Sequence, residues 1–125
     1  MITKISTEKA PAAIGPYSQA ISTGTMIYTS GQLGINPENG ELEGADITAQ
    51  AEQVMKNLGA VLEEGGSCFD NIVKTTCFLA NMADFAAFNA VYSKHITTAP
   101  ARSCVAVKTL PKNALVEVEA IAVIG

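Results

Sequence analysis

The sequence predicts an α+β domain, one mixed sheet of about six strands with two helices on one face. Three observations carry that prediction. Only two segments repeat apolar residues at helical spacing, while six short stretches rich in β-branched residues are bounded by Gly, Pro and Asn turns. The elements alternate as β-β-β-α-β-α-β-β, which suits one sheet better than a bundle or a sandwich. Two strands are apolar on both faces, so the sheet has a second face that two helices on one side do not cover. No repeat, linker or low-complexity tract divides the 125 residues, and residues 1–125 read as a single domain.

Each element follows from its residues. A weak first strand lies near Ile2–Ile5. The segment Ala10–Ser18 carries two prolines and a glycine and reads as an ordered loop. Strands are expected at Gln19–Thr23 and Met26–Leu33 around a Gly24-Thr25 turn, before a second turn at 36–40, Asn-Pro-Glu-Asn-Gly. Ile47–Glu64 reads as a helix: Asp46 is placed to cap it, Ile47, Ala51, Val54, Met55, Leu58, Val61 and Leu62 share one face, and Gly65-Gly66 ends it. Val73–Ala80 reads as a strand with Val73, Cys77 and Leu79 on one side and Phe78 and Ala80 on the other. Asp84 is the expected cap of a second helix, whose apolar side holds Phe85, Phe88, Val91 and Tyr92, and Pro100 lies beyond its end. Ser103–Leu110 and Leu115–Ile124 read as the last two strands. The final strand is apolar on both sides, and a second copy of the chain is the expected cover for the open face.

Composition excludes several classes of function. Twelve acids stand against eight bases, and seven of those bases are lysines, leaving Arg102 as the lone arginine. A net charge of −4 provides no basic patch for neutralising phosphates, so nucleic acid is not an expected partner. One histidine and three cysteines supply no clustered metal-ligand set, and Cys68, Cys77 and Cys104 are spaced for neither a CxxC pair nor a disulfide framework. No stretch has the length of a membrane span and the N-terminus lacks a signal-peptide core, so a cytoplasmic protein is expected. Phosphate-loop, dinucleotide-binding and nucleophile-elbow patterns do not occur.

What remains is a small-molecule site centred on an anion-binding arginine. Arg102 opens a strand beside small residues, with Cys104 and Ala106 on its face, where a guanidinium can meet a carboxylate through two parallel hydrogen bonds. In a chain that otherwise uses lysine for positive charge, one retained arginine suggests a need for planar geometry. Glu117 and Glu119 alternate within an apolar strand, where an acid costs free energy unless it is paired or functional. His95, near the end of the second helix, reads as structural.

Beyond these patterns, whole segments resemble the RidA (YjgF/YER057c/UK114) family: APAAIGPYSQA at 10–20, YTSGQL at 28–33, residues 70–92, PARSCVAV at 100–107 and LVEVEAIAV at 115–123. The resemblance covers essentially the entire chain and points to the archetypal enamine/imine deaminase subgroup, whose required arginine is present. It implies a chorismate-mutase-like fold assembled as a homotrimer with sites in the clefts between subunits. It also implies hydrolysis of 2-imino acids, such as 2-iminobutanoate and 2-iminopropanoate, to 2-keto acids and ammonia, with no cofactor or metal. By the same resemblance, Arg102 holds the substrate carboxylate and Glu117 orients water or the departing nitrogen. Tyr17 packs over the ligand, Ser30, Gly31, Asn89 and Cys104 line the pocket, and Glu119 supports structure. The stretch SKHITTAPA between Tyr92 and Arg102 is short for the family, which leaves substrate preference open. Two other readings stand beside deamination: a non-catalytic binder of 2-keto acids, and an endoribonuclease or translation inhibitor, which the acidic balance disfavours.

Overall fold

The computed structural model describes residues 1–125 and builds seven strands and two α-helices. These are β1 (Thr3–Ile5), β2 (Ala20–Ser22), β3 (Met26–Thr29), β4 (Gln32–Leu33), α1 (Ile47–Glu64), β5 (Ile72–Leu79), α2 (Phe85–His95), β6 (Ala101–Ala106) and β7 (Val116–Val123). One sheet runs β1-β2-β3-β7-β5-β6, with β4 also paired to β7. Every pairing is antiparallel except β5 with β6, which α2 connects as a crossover. β7 therefore lies at the centre and β6 at an edge.

Helix α1 forms where its capping signals place it. Asp46 Oδ1 accepts the Ala49 N–H at 2.8 Å, and the chain turns away through Gly66 at φ 84°, a conformation that favours glycine. Its stripe Ala51, Val54, Met55, Leu58, Val61 and Leu62 is fully buried against Ile27, Val116, Val118 and Ala122. Burial of each larger side chain there contributes about 1.5–3 kcal/mol. The same helix also buries three side-chain amides, which sequence periodicity did not foresee as structural. Asn57 Nδ2 donates to the carbonyls of Leu33 (2.9 Å) and Ile35 (2.8 Å), Gln53 Nε2 donates to Asn57 Oδ1 (2.9 Å), and Gln50 Oε1 accepts from Leu115 N–H (2.8 Å). Irregular backbone around β4 and before β7 thus finds its partners on the helix.

Several expected boundaries move, each for a reason of pairing. Met26–Leu33 is two strands rather than one, because the chain leaves β7 at Ser30-Gly31 between its pairing at Met26–Tyr28 and its return at Gln32–Leu33. That break raises the strand count from six to seven. β5 contains a bulge between Ile72 and Lys74, so Val73 faces solvent instead of sharing the core side with Cys77 and Leu79. The strand expected at Ser103–Leu110 is Ala101–Ala106: it starts opposite Lys74 and stops opposite Leu79, where its partner ends. Asp84 makes no side-chain cap for α2, and the nearby side-chain cap is Asn81 Oδ1, which accepts the Ala83 N–H at 2.8 Å in the preceding short turn.

Both helices cover one face of the sheet. On the other, Tyr28, Val105 and Val123 are exposed and Phe78 and Ile121 are half-buried, which is the uncovered apolar face that two-sided strands require.

Candidate functional site

The expected site residues fall into two groups on opposite faces of the sheet. Arg102 pairs in register with Thr75, and Cys104 with Cys77; Thr75 and Cys77 are fully buried beneath the helices, so Arg102 and Cys104 share the helix-covered side. Glu117 belongs to the alternate set on β7, whose neighbours Val116 and Val118 point into the core, so its carboxylate projects on the uncovered side.

Beneath α2, residues Phe85, Phe88, Asn89 and Tyr92 recur at i, i+3, i+4 and i+7 and form one stripe facing β6. The Arg102 guanidinium carbon lies 4.8 Å from the Tyr92 ring centroid, 5.6 Å from Phe85 and 5.9 Å from Phe88, within the range of cation–π attraction. Its Nη1 donates to Asn89 Oδ1 at 2.8 Å. No acid forms an ion pair with it; the ion pairs of the chain join Glu52 to Lys94 and His95. A half-buried guanidinium with one of its five donors satisfied and no counter-charge has donors to offer a planar anion. Burial raises the Cys104 thiol above its ordinary value despite the nearby Arg102 charge, and burial pushes Cys77 up to about 12. Both sulfurs therefore remain thiols near neutral pH, which leaves Cys104 without nucleophilic activation.

On the other side, a cavity of about 580 Å³ is lined by Tyr17, Ser30, Gly31 and Glu117, with Ile14 and Leu33 among its apolar walls. The break between β3 and β4 creates it. A Cβ at Gly31 would come within 2.7 Å of Glu117 Cδ, so only glycine lets the carboxylate lie across the backbone here. Burial, and then the like charge of Glu119, raise the Glu117 carboxyl above its ordinary value. A group so placed can hold and return a proton at neutral pH more readily than a solvated glutamate. Ser30 Oγ donates to the Ser18 carbonyl at 2.6 Å, so it ties the loop ahead of it to the pocket wall.

Sequence reasoning named these residues but missed two features that shape them. Gln19 holds the loop bearing Tyr17 through Oε1, which accepts from Thr7 N–H (2.7 Å), and through Nε2, which donates to the Thr7, Ala10 and Pro11 carbonyls (3.1, 3.3 and 2.7 Å). Lys112, at φ 57°, reaches from the far wall to the Gly40 carbonyl at 2.8 Å. With Asn113 and Ala99 it completes the set of non-glycine residues at positive φ; Ala99 lies three residues before Arg102, and Lys112 lines the wall beside Glu117. A second depression, about 670 Å³, lies among charged side chains of α1 and holds none of the expected site residues. His95 sits at its rim, 3.4 Å from Glu52, where it ties α2 to α1.

Known proteins resemble the chain over nearly its full length. The Endoribonuclease L-PSP family model matches residues 7–124. The chain is 55% identical over 119 residues to AldR of Lactococcus lactis, with 94% of each chain covered. It is 50% identical over 127 aligned positions to the Escherichia coli 2-iminobutanoate/2-iminopropanoate deaminase, with 98% of each covered. The crystal structure of E. coli TdcF with bound serine superposes with a TM-score of 0.93 at 42% identity, over 98% of this chain and 99% of that one. The match runs from before the Tyr17 loop through the end of β7 and takes in every residue of both groups, and the chain belongs to the Endoribonuclease L-PSP family, in which the RidA-type proteins fall.

Proposed function

We propose that this protein is a deaminase of 2-imino acids, converting 2-iminobutanoate and 2-iminopropanoate to the 2-keto acids and ammonia. The observation that carries this reading is the Arg102 niche: a half-buried, unpaired guanidinium held by Asn89 and three aromatic rings. The substrate carboxylate takes the open edge of the fork. Each charge-assisted bond there is worth roughly 1.5–3 kcal/mol. Kinship with the E. coli deaminase supplies the reaction class, and the serine held by TdcF is a ligand with the same α-carboxylate.

The chemistry asks little of the protein. Water adds to C2 of the protonated imine, the nitrogen departs, and the carbonyl forms, so C=NH2+ plus H2O becomes C=O plus NH4+ without another reactant. Arg102 fixes the acid, and Glu117 accepts a proton from the attacking water and returns it to the leaving nitrogen. Orientation and charge placement suffice for a bond that already hydrolyses in water.

Arg102 and Glu117 face opposite ways in one chain, so a working site needs two. We infer a homotrimer in which the open sheet face of one subunit, with its Glu117 pocket, packs against the β6 edge of the next. The exposed Tyr28, Val105 and Val123, and the solvent-facing edge strand itself, support that arrangement. AldR is described as a regulator, and that description favours a second reading, binding of a 2-keto acid without turnover. One assay separates them. With 2-iminobutanoate generated by a pyridoxal-phosphate dehydratase, the protein should accelerate formation of the keto acid, and Arg102→Ala should lower kcat/KM by about 100-fold or more. Binding of the keto acid with no acceleration would select the second reading.

A further inference from the structure

Arg102 is steadied by a second layer that the reaction itself does not touch. Tyr92 presents its ring to the guanidinium at 4.8 Å, and at the far end of that ring its hydroxyl is hydrogen-bonded to Thr75 Oγ1 at 2.8 Å. Thr75 is fully buried and is the register partner of Arg102 on the neighbouring strand. The connections close into a ring: Arg102 backbone to Thr75 across the β5–β6 ladder, Thr75 hydroxyl to Tyr92 hydroxyl, Tyr92 ring back to the Arg102 side chain. Phe88 supports Tyr92 from the side, with ring centroids 5.7 Å apart. Tyr92 is 8% exposed, so apolar packing alone would accept phenylalanine there, and the hydroxyl answers to a more particular need.

We propose that Tyr92 and Thr75 are positioning residues that set the plane of the Arg102 fork and thereby its affinity for the substrate carboxylate. This inference rests on the assignment of Arg102 as the carboxylate receptor. Asn89 fixes one nitrogen of the fork, which still leaves rotation about that contact. A ring anchored at both ends removes that freedom, and two parallel N–H···O bonds form only when the fork is already in plane.

The test uses Tyr92→Phe, Thr75→Val and the double variant, all of near-native shape. Titration with 2-oxobutanoate reads carboxylate affinity, 2-oxobutanamide reads binding without the charge, and thermal unfolding reads stability. Each variant should weaken 2-oxobutanoate binding by about three- to tenfold and raise KM with kcat little changed, because the interaction lost is the same in all three. The carboxamide should bind all four proteins alike. Stability should follow a different pattern, falling most in Thr75→Val, which strands the Tyr92 hydroxyl, less in Tyr92→Phe, where Thr75 Oγ1 keeps the Cys77 thiol at 3.9 Å, and recovering in the double relative to Thr75→Val, because it strands no hydroxyl. Affinity that recovers together with stability in the double variant, or Kd values within twofold of the parent throughout, would overturn the proposal. If Arg102→Ala itself leaves 2-oxobutanoate binding intact, the receptor assignment fails instead, and that result is separate.

Discussion

The two faces of the sheet solve opposite problems. Under α2, the Arg102 niche is finished within one chain: its cation has its rings, its amide partner and a buried anchor behind it. On the open face, the Glu117 pocket is built from irregular backbone, the 10–18 loop, the Ser30-Gly31 break and the 111–113 turn, each tied to another part of the chain by a hydrogen bond from a side chain to a backbone carbonyl. A regular helix stripe gives a rigid receptor for charge, whereas a pocket made of loops leaves room for a ligand at the cost of many separate tethers. For the proposed deaminase this contrast amounts to a division of labour, with recognition assigned to the niche and proton handling to the pocket.

That division can be broken from either side. On the pocket side, Glu117→Gln should cost the most, lowering kcat by roughly 100-fold while KM changes little, since the amide keeps the shape but cannot carry the proton. A variant that raised KM and spared kcat would transfer recognition to the wrong face. Gly31→Ala should follow, with about a tenfold loss in kcat as the new methyl displaces the Glu117 carboxylate from its seat on the backbone. A crystal structure of that variant with Glu117 unmoved would remove the reason given for glycine there.

Glu119→Gln should have the smallest effect on rate and the clearest on pH. Glu119 raises the Glu117 carboxyl, and its charge is lost in the variant, so the limb over which activity rises with pH should move to lower pH. Burial is the larger cause and remains, so the limb should stay above the position of an ordinary glutamate. A pH–rate profile of kcat/KM shows both, and a limb displaced upward would mean that a different group titrates.

How much of this the residues announced depends on the range of the interaction. Helix α1 carries its start at Asp46 and its stop at Gly65-Gly66 within its own sequence, and it forms between them. The uncovered face was readable because strand alternation is local, and Val116–Val123 displays both of its sides in one run. Pairing between distant strands was not readable. The bulge at Val73, the break at Ser30-Gly31 and the early start of β6 all follow from what lies opposite, tens of residues away. The same holds within the site. Arg102 and Glu117 stood out as an isolated arginine and a buried acid, and family resemblance brought them together, but their opposite faces emerged only with the register of β5. Gln19 and Asn57 gave no local signal because an amide in a loop or a helix looks solvated until the carbonyls it serves are placed around it.

The central claim is that Arg102 of one subunit works with Glu117 of another. Arg102→Ala and Glu117→Gln, each inactive alone, should be co-expressed with different tags and purified as mixed assemblies carrying both. In a cyclic trimer of either mixed composition one of the three sites pairs an intact Arg102 with an intact Glu117, so the purified mixed assemblies should recover about a third of the wild-type deaminase activity. Mixed assemblies no more active than the two parents would place both residues in the same subunit's site and contradict the account.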